Sequence, residues 1–274
     1  AVAEPRWLNR SLSYTPHRRE ATVESQNVVA LLEGSDPELR NEYVVLSSHY
    51  DHIGITLPDS TGDRINNGAD DDGSGTIGLV GAATAFSEAA KAGYRPKRSI
   101  VFLNVSGEEK GLLGSRYYSD HPLLPIEETI ANLNADMIGR SDAAHLAEGV
   151  TDYVYVIGGS IISSGLDSLV QEANRKTVGM LLDDGYNDLN DPNQFYRRSD
   201  HWNFGRLGVP FAFFFTGVHE DYHRPSDEAD KIDYAKLSRI SQLLFASAVE
   251  LADHPERPVV DNQAFIEATR RQPR

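Results

Sequence analysis

Residues 44–54 read VVLSSHYDHIG, an apolar strand pattern that runs directly into His49, Asp51 and His52. Ionisable side chains at the end of a buried strand are costly to desolvate unless something pairs with them. Three further apolar segments end in the same way, and the groups that follow them are Glu108 and Glu109, Asp136, and His223. The sequence therefore indicates four strand ends that deliver ionisable groups to one edge of a sheet.

The alternation of strand and helix patterns predicts an α/β fold with a largely parallel central sheet. RSIVFLNVS (98–106) and VPFAFFFTG (209–217) are continuous apolar runs, as expected for strands that are buried on both faces. The Ala-rich segment 74–92 and the amphipathic segment 232–254 predict long helices. In sheets of this kind, sites form where the carboxyl ends of strands meet loops.

The composition excludes several classes of function. Against 41 Asp and Glu there are only 26 Lys and Arg, so the 274-residue chain carries a net charge of −15. Nucleic acids are not expected as partners, because their phosphates would be repelled. No apolar run approaches the ~20 residues that span a bilayer, so membrane insertion is not expected. The chain has no cysteine, so any zinc site must use His and carboxylate ligands, the set of catalytic zinc sites.

Two motifs have an ordinary structural interpretation as well as a functional one. NNGADDDGSGTIG (66–78) places three consecutive aspartates just before a helix, and their mutual repulsion calls for a cation nearby. A solvated acidic loop that caps the helix explains the motif equally well. His49 and Asp51 lie two apart and face the same side of an extended chain, which suits a carboxylate that orients a ligating imidazole. The alternative there is a polar surface turn.

SGEEKG (106–111) places adjacent glutamates directly after a buried strand. One of them can bind a metal while the other stays free as a general base beside a cation-bound water. Taken together, the strand ends offer two histidines and at least three carboxylates, more than one tetrahedral zinc uses. Two metal ions bridged by a carboxylate fit this number better. Zinc suits the ligand types best, with Mn2+ or Co2+ as substitutes.

Six segments together resemble peptidase family M28, the co-catalytic zinc aminopeptidases. They are HYDHIG (49–54), NNGADDDGSG (66–75), SGEEKGLLGS (106–115), NADMIG (134–139), RSDHWNFGRLGVPFAFFFTG (198–217) and DYHRPSDE (221–228). The resemblance implies the fold of zinc-dependent exopeptidases, a three-layer α/β/α sandwich with a mixed, mostly parallel central sheet. A single catalytic domain is then expected over residues 26–256, after an irregular lead-in (1–25) and before a C-terminal tail (257–274).

The resemblance also implies which residues bind metal. Asp71, the middle aspartate of the three, would bridge two zinc ions. One ion would also be held by His49 and Asp136. The other would also be held by Glu109 and His223.

The remaining site residues receive their roles from the same resemblance. Glu108 would be the general base that deprotonates the bridging water and returns the proton to the leaving amine. Asp51 would orient His49. Tyr222 would donate a hydrogen bond to the tetrahedral oxyanion, and Arg198 would contact the substrate.

The activity implied is that of an aminopeptidase, which removes N-terminal residues from peptides with a free N-terminus. A single-zinc glutaminyl cyclase or a carboxypeptidase of the same fold is the alternative, because such relatives share much of the ligand set. A non-catalytic binding ectodomain is disfavoured, since every expected ligand position is filled. We also expect a secreted or periplasmic protein in its mature form, without its signal peptide.

Overall fold

The computed structural model describes residues 10–11, 13–16 and 22–270. The strands in this part of the chain are β1 (Val28–Leu32), β2 (Tyr43–His49), β3 (Gly54–Ile55), β4 (Ile65–Asn66), β5 (Ser99–Val105), β6 (Thr129–Ala135), β7 (Tyr153–Ile157), β8 (Leu181–Asp183) and β9 (Phe211–Phe215). The α-helices are α1 (Gly73–Lys91), α2 (Leu113–Asp120), α3 (Ala143–Glu148), α4 (Gly159–Ile162), α5 (Ser164–Lys176), α6 (His201–Gly205), α7 (Tyr234–Asp253) and α8 (Gln263–Arg270).

The central sheet has seven strands in the order β1-β5-β2-β6-β9-β7-β8. Its middle strands β5, β2, β6 and β9 are mutually parallel, whereas β1 and β7 pair antiparallel with β5 and β9. The mixed, mostly parallel sheet predicted above is therefore confirmed. Because the four parallel strands are neighbours, their carboxyl ends lie side by side at one edge.

Helices cover both faces of the sheet, which confirms the three-layer architecture. On one face, α1, α5 and α7 bury apolar side chains such as Leu79, Val170 and Leu243 against the sheet. On the other face, α2 and α6 contribute Tyr118 and Phe204 to a second apolar cluster. No helix within the described residues combines the length and apolar character that a bilayer crossing requires.

The start of α1 is fixed close to the end of β6. The Asp72 side chain caps the helix by accepting the backbone N–H of Gly75 at 2.9 Å. A Cβ on Gly75 would lie 2.2 Å from the carbonyl oxygen of Ala135, so only glycine permits this approach. The contact holds the aspartate loop against the carboxyl end of the sheet.

The domain boundaries predicted from the sequence remain predictions. In the predicted lead-in, residues 1–9, 12 and 17–21 lie outside the described residues, and the described remainder contains no helix or strand. The segment predicted as a tail contains α8, whose Phe265 is only 1% exposed and packs with the aromatic side chains of β7 and β9. Residues 271–274 of that segment are also outside the described range.

Candidate metal centre

The carboxyl edge of the four parallel strands collects every metal ligand predicted from the sequence. His49 ends β2, and Asp71 lies in the loop before α1. Glu109, Asp136 and His223 follow β5, β6 and β9, respectively. Side chains from distant parts of the chain therefore meet in one place.

The first group consists of His49, Asp71 and Asp136, which are all buried. His49 Nε2 lies 3.3 Å from Asp71 Oδ1 and 3.6 Å from Asp136 Oδ2. Each residue offers one ligand atom within 4.8 Å of the other two. This is the trio predicted to hold one ion.

The second group surrounds the other oxygen of Asp71. His223 Nε2 lies 3.0 Å from Asp71 Oδ2 and 3.2 Å from Glu109 Oε2. His52, which the sequence analysis left without a role, places Nδ1 2.8 Å from Glu109 Oε1. Asp71 thus faces one histidine with each of its carboxylate oxygens, which is the arrangement expected of a bridging ligand.

Burial and the contacts between histidines and carboxylates shift the pKa values of the residues in the two groups. Burial would lower the pKa of His49, but the charge of Asp136 and the contact with Asp71 raise it well above its usual value. Burial likewise opposes ionisation of Asp71, yet its contacts with His223 and His49 hold its pKa well below the usual range. Burial raises the pKa of Asp136 despite the nearby His49. The centre therefore combines ionised and strongly desolvated carboxyl groups.

Glu108 lies beside the centre rather than within either group. Its Oε2 is 3.9 Å from His49 Nε2, and its side chain is 11% exposed. Burial raises its pKa to about 10, and the nearby charges of Asp136, Asp200 and Asp71 act in the same direction. Glu108 is thus a strongly basic carboxylate held next to the candidate metal positions.

Several facing atoms of the centre are buried and have no hydrogen-bond partner. They are His49 Nε2, both ring nitrogens of His52, and Glu109 Oε1. Buried polar atoms in proteins are nearly always paired, and buried charges are paired or coordinate metals. Imidazole nitrogens and carboxylate oxygens are also suitable zinc ligands. The residues therefore fit a centre for divalent cations.

The three consecutive aspartates have different partners. Asp71 alone points into the centre, whereas Asp70 Oδ1 accepts the backbone N–H of Gly139 at 2.7 Å. Asp72 Oδ2 accepts the backbone N–H of His49 at 3.0 Å, and its Oδ1 accepts that of Met137 at 3.2 Å. The flanking aspartates therefore join the ends of β2 and β6 to the loop that carries the candidate bridging ligand.

Two further acidic residues lie next to the site, and neither was assigned a definite role from the sequence. Asp227 accepts the backbone N–H groups of Asp70 and Asp71 at 3.0 and 3.2 Å. Asp200 is fully buried, and neither carboxylate oxygen has a hydrogen-bond partner. The signal for Asp227 was its place in DYHRPSDE, four residues after His223.

Asp51 contacts His49 mainly through its main chain. His49 Nδ1 is 3.0 Å from the carbonyl oxygen of Asp51 and 3.8 Å from its carboxylate Oδ1. The carboxylate instead accepts the backbone N–H of Glu108 at 3.1 Å. Asp51 therefore connects the first group to the glutamate pair.

A small cavity of about 40 Å³ opens beside the centre. One part of its wall is apolar and is formed by Met137, Phe195, Phe213, Phe215 and Val218, whereas the rest is lined by polar and charged side chains. Arg198 and Tyr222 line the same cavity, with Arg198 Nη2 3.5 Å from Tyr222 Oη. The two side chains that were predicted to contact substrate thus lie together next to the candidate metal positions.

Comparison with known proteins agrees with this geometry. The sequence profile of peptidase family M28 matches residues 27–248. The chain belongs to peptidase family M28. The family that was predicted from the motifs is therefore confirmed.

Relatives of this M28 chain include named aminopeptidases. A probable leucine aminopeptidase of Arthroderma otae is 31% identical over 223 residues, which cover 79% of this chain and 56% of that protein. The solved aminopeptidase from Aneurinibacillus sp. strain AM-1 is 26% identical with a TM-score of 0.62, covering 86% of this chain and 50% of that one. The chain thus spans about half the length of these relatives.

The fold is also shared with an enzyme of another class. The solved glutaminyl cyclase of an Acidobacteriales bacterium is 20% identical, with a TM-score of 0.58 over 83% of this chain and 73% of that one. At this level of identity the likeness shows the fold alone.

Proposed function

We propose that this M28 chain is a zinc aminopeptidase that uses two zinc ions and removes N-terminal residues from peptides. The observation that carries the proposal is the shared carboxylate of Asp71. One of its oxygens faces His49 and the other faces His223, so the two ligand groups meet at a single residue. Relatives named as aminopeptidases support the reaction class.

The ligands are proposed to divide between two ions. His49, Asp71 and Asp136 would hold one ion, and Asp71, Glu109 and His223 the other. Zinc bound in this way supplies Lewis acid chemistry, because it lowers the pKa of water and polarises a carbonyl group. The steps that follow depend on the side chains around it.

Glu108 is proposed as the general base. It takes a proton from the attacking water and later gives that proton to the leaving amine. The carboxylates of Asp71 and Asp136, which help to raise its pKa, are the same groups that would bind cations. Cations bound by these carboxylates would offset the negative charge of the carboxylates and lower the pKa of Glu108 toward neutral pH.

The cavity walls are proposed to position the peptide. The apolar surface formed by Phe195, Phe213 and Phe215 would accept the side chain of the N-terminal residue. Tyr222 would donate its O–H to the oxygen that becomes negative during attack, and Arg198 beside it would contact the substrate. The substrate's amino group is cationic and would be attracted to the carboxylates at the rim.

A single-zinc glutaminyl cyclase is the second candidate, because the fold is shared with such an enzyme. The same chain can be tested for both reactions after chelation with phenanthroline and reloading with zinc. We expect two zinc ions per chain and hydrolysis of Leu-p-nitroanilide that is lost on chelation and restored by zinc. One zinc ion with cyclisation of a Gln-initiated peptide would instead establish the second candidate. Release of C-terminal residues only would show a carboxypeptidase.

A further inference from the structure

His52 is the imidazole at the centre that the family's ligand pattern leaves unassigned. Its Nδ1 lies 2.8 Å from Glu109 Oε1 and 4.0 Å from Asp71 Oδ2, and its side chain is 9% exposed. His52, Asp71 and Glu109 each offer a ligand atom within 4.8 Å of the other two. His52 therefore satisfies, in the second group, the same distance criterion that His49 satisfies in the first group.

The nearest acceptor to the His52 ring is the carboxylate of Glu109, which lies 2.8 Å from Nδ1. Neither ring nitrogen has a hydrogen-bond partner, although both are buried. Glu109 Oε1, the atom nearest to Nδ1, also lacks a hydrogen-bond partner. The two atoms are 2.8 Å apart, so either a proton in a hydrogen bond or a shared metal ion can join them, and zinc-binding measurements separate these two arrangements.

The local backbone leaves room for this imidazole. Gly68 has a φ of +63°, and a Cβ there would lie 2.7 Å from Cγ of His52 and 2.5 Å from the carbonyl oxygen of Asp71. A side chain at position 68 would therefore push the imidazole away from the aspartate loop. Glycine allows the loop to fold directly over His52.

His52 and His223 approach Glu109 from two sides. His223 Nε2 contacts Glu109 Oε2 at 3.2 Å, and His52 Nδ1 contacts the other oxygen. Their ring centroids are 5.7 Å apart with an interplanar angle of 75°. Zn–N bonds of about 2.0–2.1 Å place the ring centroids of two imidazoles on one ion roughly 5 Å apart when the N–Zn–N angle is near 110°. The two histidines are thus spaced as ligands of one ion.

We propose that His52 is a further metal ligand, which supplies Nδ1 to the ion held by Asp71, Glu109 and His223. The inference rests on the metal centre of the proposed function but not on its peptidase reaction. It makes the two ions unequal, since one would have three protein ligands and the other four. The second ion would then be held by two imidazoles and two carboxylates, with a fifth position left for water.

The test compares zinc binding of the chelated and reloaded full chain with that of two variants. His52→Phe keeps a ring of similar size without nitrogen, and His52→Gln keeps a polar side chain. His121→Phe is the matched control, because His121 is exposed on the surface and stacks on Tyr117 away from the centre. Calorimetry measures stoichiometry and affinity. Proton NMR of the Co2+-loaded protein counts the imidazole N–H signals that the ion shifts.

The wild type should bind two ions and show three shifted imidazole signals. Each His52 variant should lose one signal and bind one of the two ions at least ~10-fold more weakly, whereas His121→Phe should do neither. A wild type with only two shifted signals, or variants that bind zinc more weakly without losing a signal, would overturn the proposal, because His52 would then only position Glu109. Unchanged affinity and signals would also overturn it. Circular dichroism of the chelated proteins separates a ligand effect from unfolding, and a wild type that binds no ion would refute the metal centre itself.

Discussion

Glu108→Gln removes the proposed general base while keeping the shape of the side chain. A positioned general base contributes about 10²–10⁴ to rate. The Glu108 side chain is only 11% exposed, so solvent has little access to replace it. We therefore expect kcat for Leu-p-nitroanilide to fall by about 10³–10⁴, equivalent to roughly 4–5.5 kcal/mol of barrier.

The same substitution should leave the fold and the metal content intact. Burial raises the pKa of Glu108 to about 10, so the chelated protein holds this side chain protonated and neutral at pH 7, as glutamine is. The melting temperature of the chelated variant should therefore not fall. Calorimetry should still find two zinc ions, because Glu108 belongs to neither ligand group.

Glu109→Gln provides the matched control, since it changes the adjacent carboxylate that faces His223 and His52. This variant should lose affinity for one ion as well as activity. The reasoning about Glu108 would be refuted if Glu108→Gln with two bound ions kept kcat within about tenfold of wild type. It would also be refuted if the variant lost zinc as Glu109→Gln does.

Three further predictions concern pH, specificity and stability. Contacts with Asp71 and Glu109 raise the pKa of His223 to about 9, above the ~6.5 of an unfolded chain. The chelated protein should therefore lose unfolding free energy as pH rises from about 6.5 through 9, whereas zinc affinity should increase over the same window as His223 loses its proton. Denaturant titrations and calorimetry across this window measure both trends, and a flat profile in both would contradict the assignment. Burying an apolar side chain is worth about 1.5–3 kcal/mol. The kcat/KM for Leu-p-nitroanilide should therefore exceed that for Asp-p-nitroanilide by roughly 10–100-fold. Equal values would argue against the apolar wall of the cavity as the binding site for the N-terminal side chain. Phe265→Ala should lower the free energy of unfolding by about 3–5 kcal/mol in denaturant titrations. Glu267→Ala, on the exposed side of α8, should change it by less than about 0.5 kcal/mol. Similar losses for both variants would show that α8 is not anchored through Phe265.

The main elements and the residues of the centre could be predicted because the pattern along the chain is strong. Buried parallel strands are continuous apolar runs, so the positions of β2, β5, β6 and β9 follow from the sequence. The order of the strands in the sheet does not follow, because β2 lies between β5 and β6 through contacts distant in sequence. Short elements such as β8, with three residues, are too brief to show a period.

His52 and α8 were missed for different physical reasons. His52 lies three residues after His49, and on an extended chain that spacing places the two side chains on opposite faces. The strand ends at His49, and the turn after it brings His52 back to the centre. The helix α8 carries a local signal that was overlooked, since the Asn262 side chain accepts the backbone N–H groups of Ala264 and Phe265 as a cap does.

The candidate ligands are spread along the chain from His49 to His223, and each strand that carries one must pair before they meet. A growing chain could therefore not complete the proposed centre until β9 has joined the sheet, so metal loading would come at the end of folding. Ions that bind only the finished fold also stabilise it in proportion to the logarithm of their free concentration. The free zinc concentration would then affect the stability of the folded protein as well as its activity.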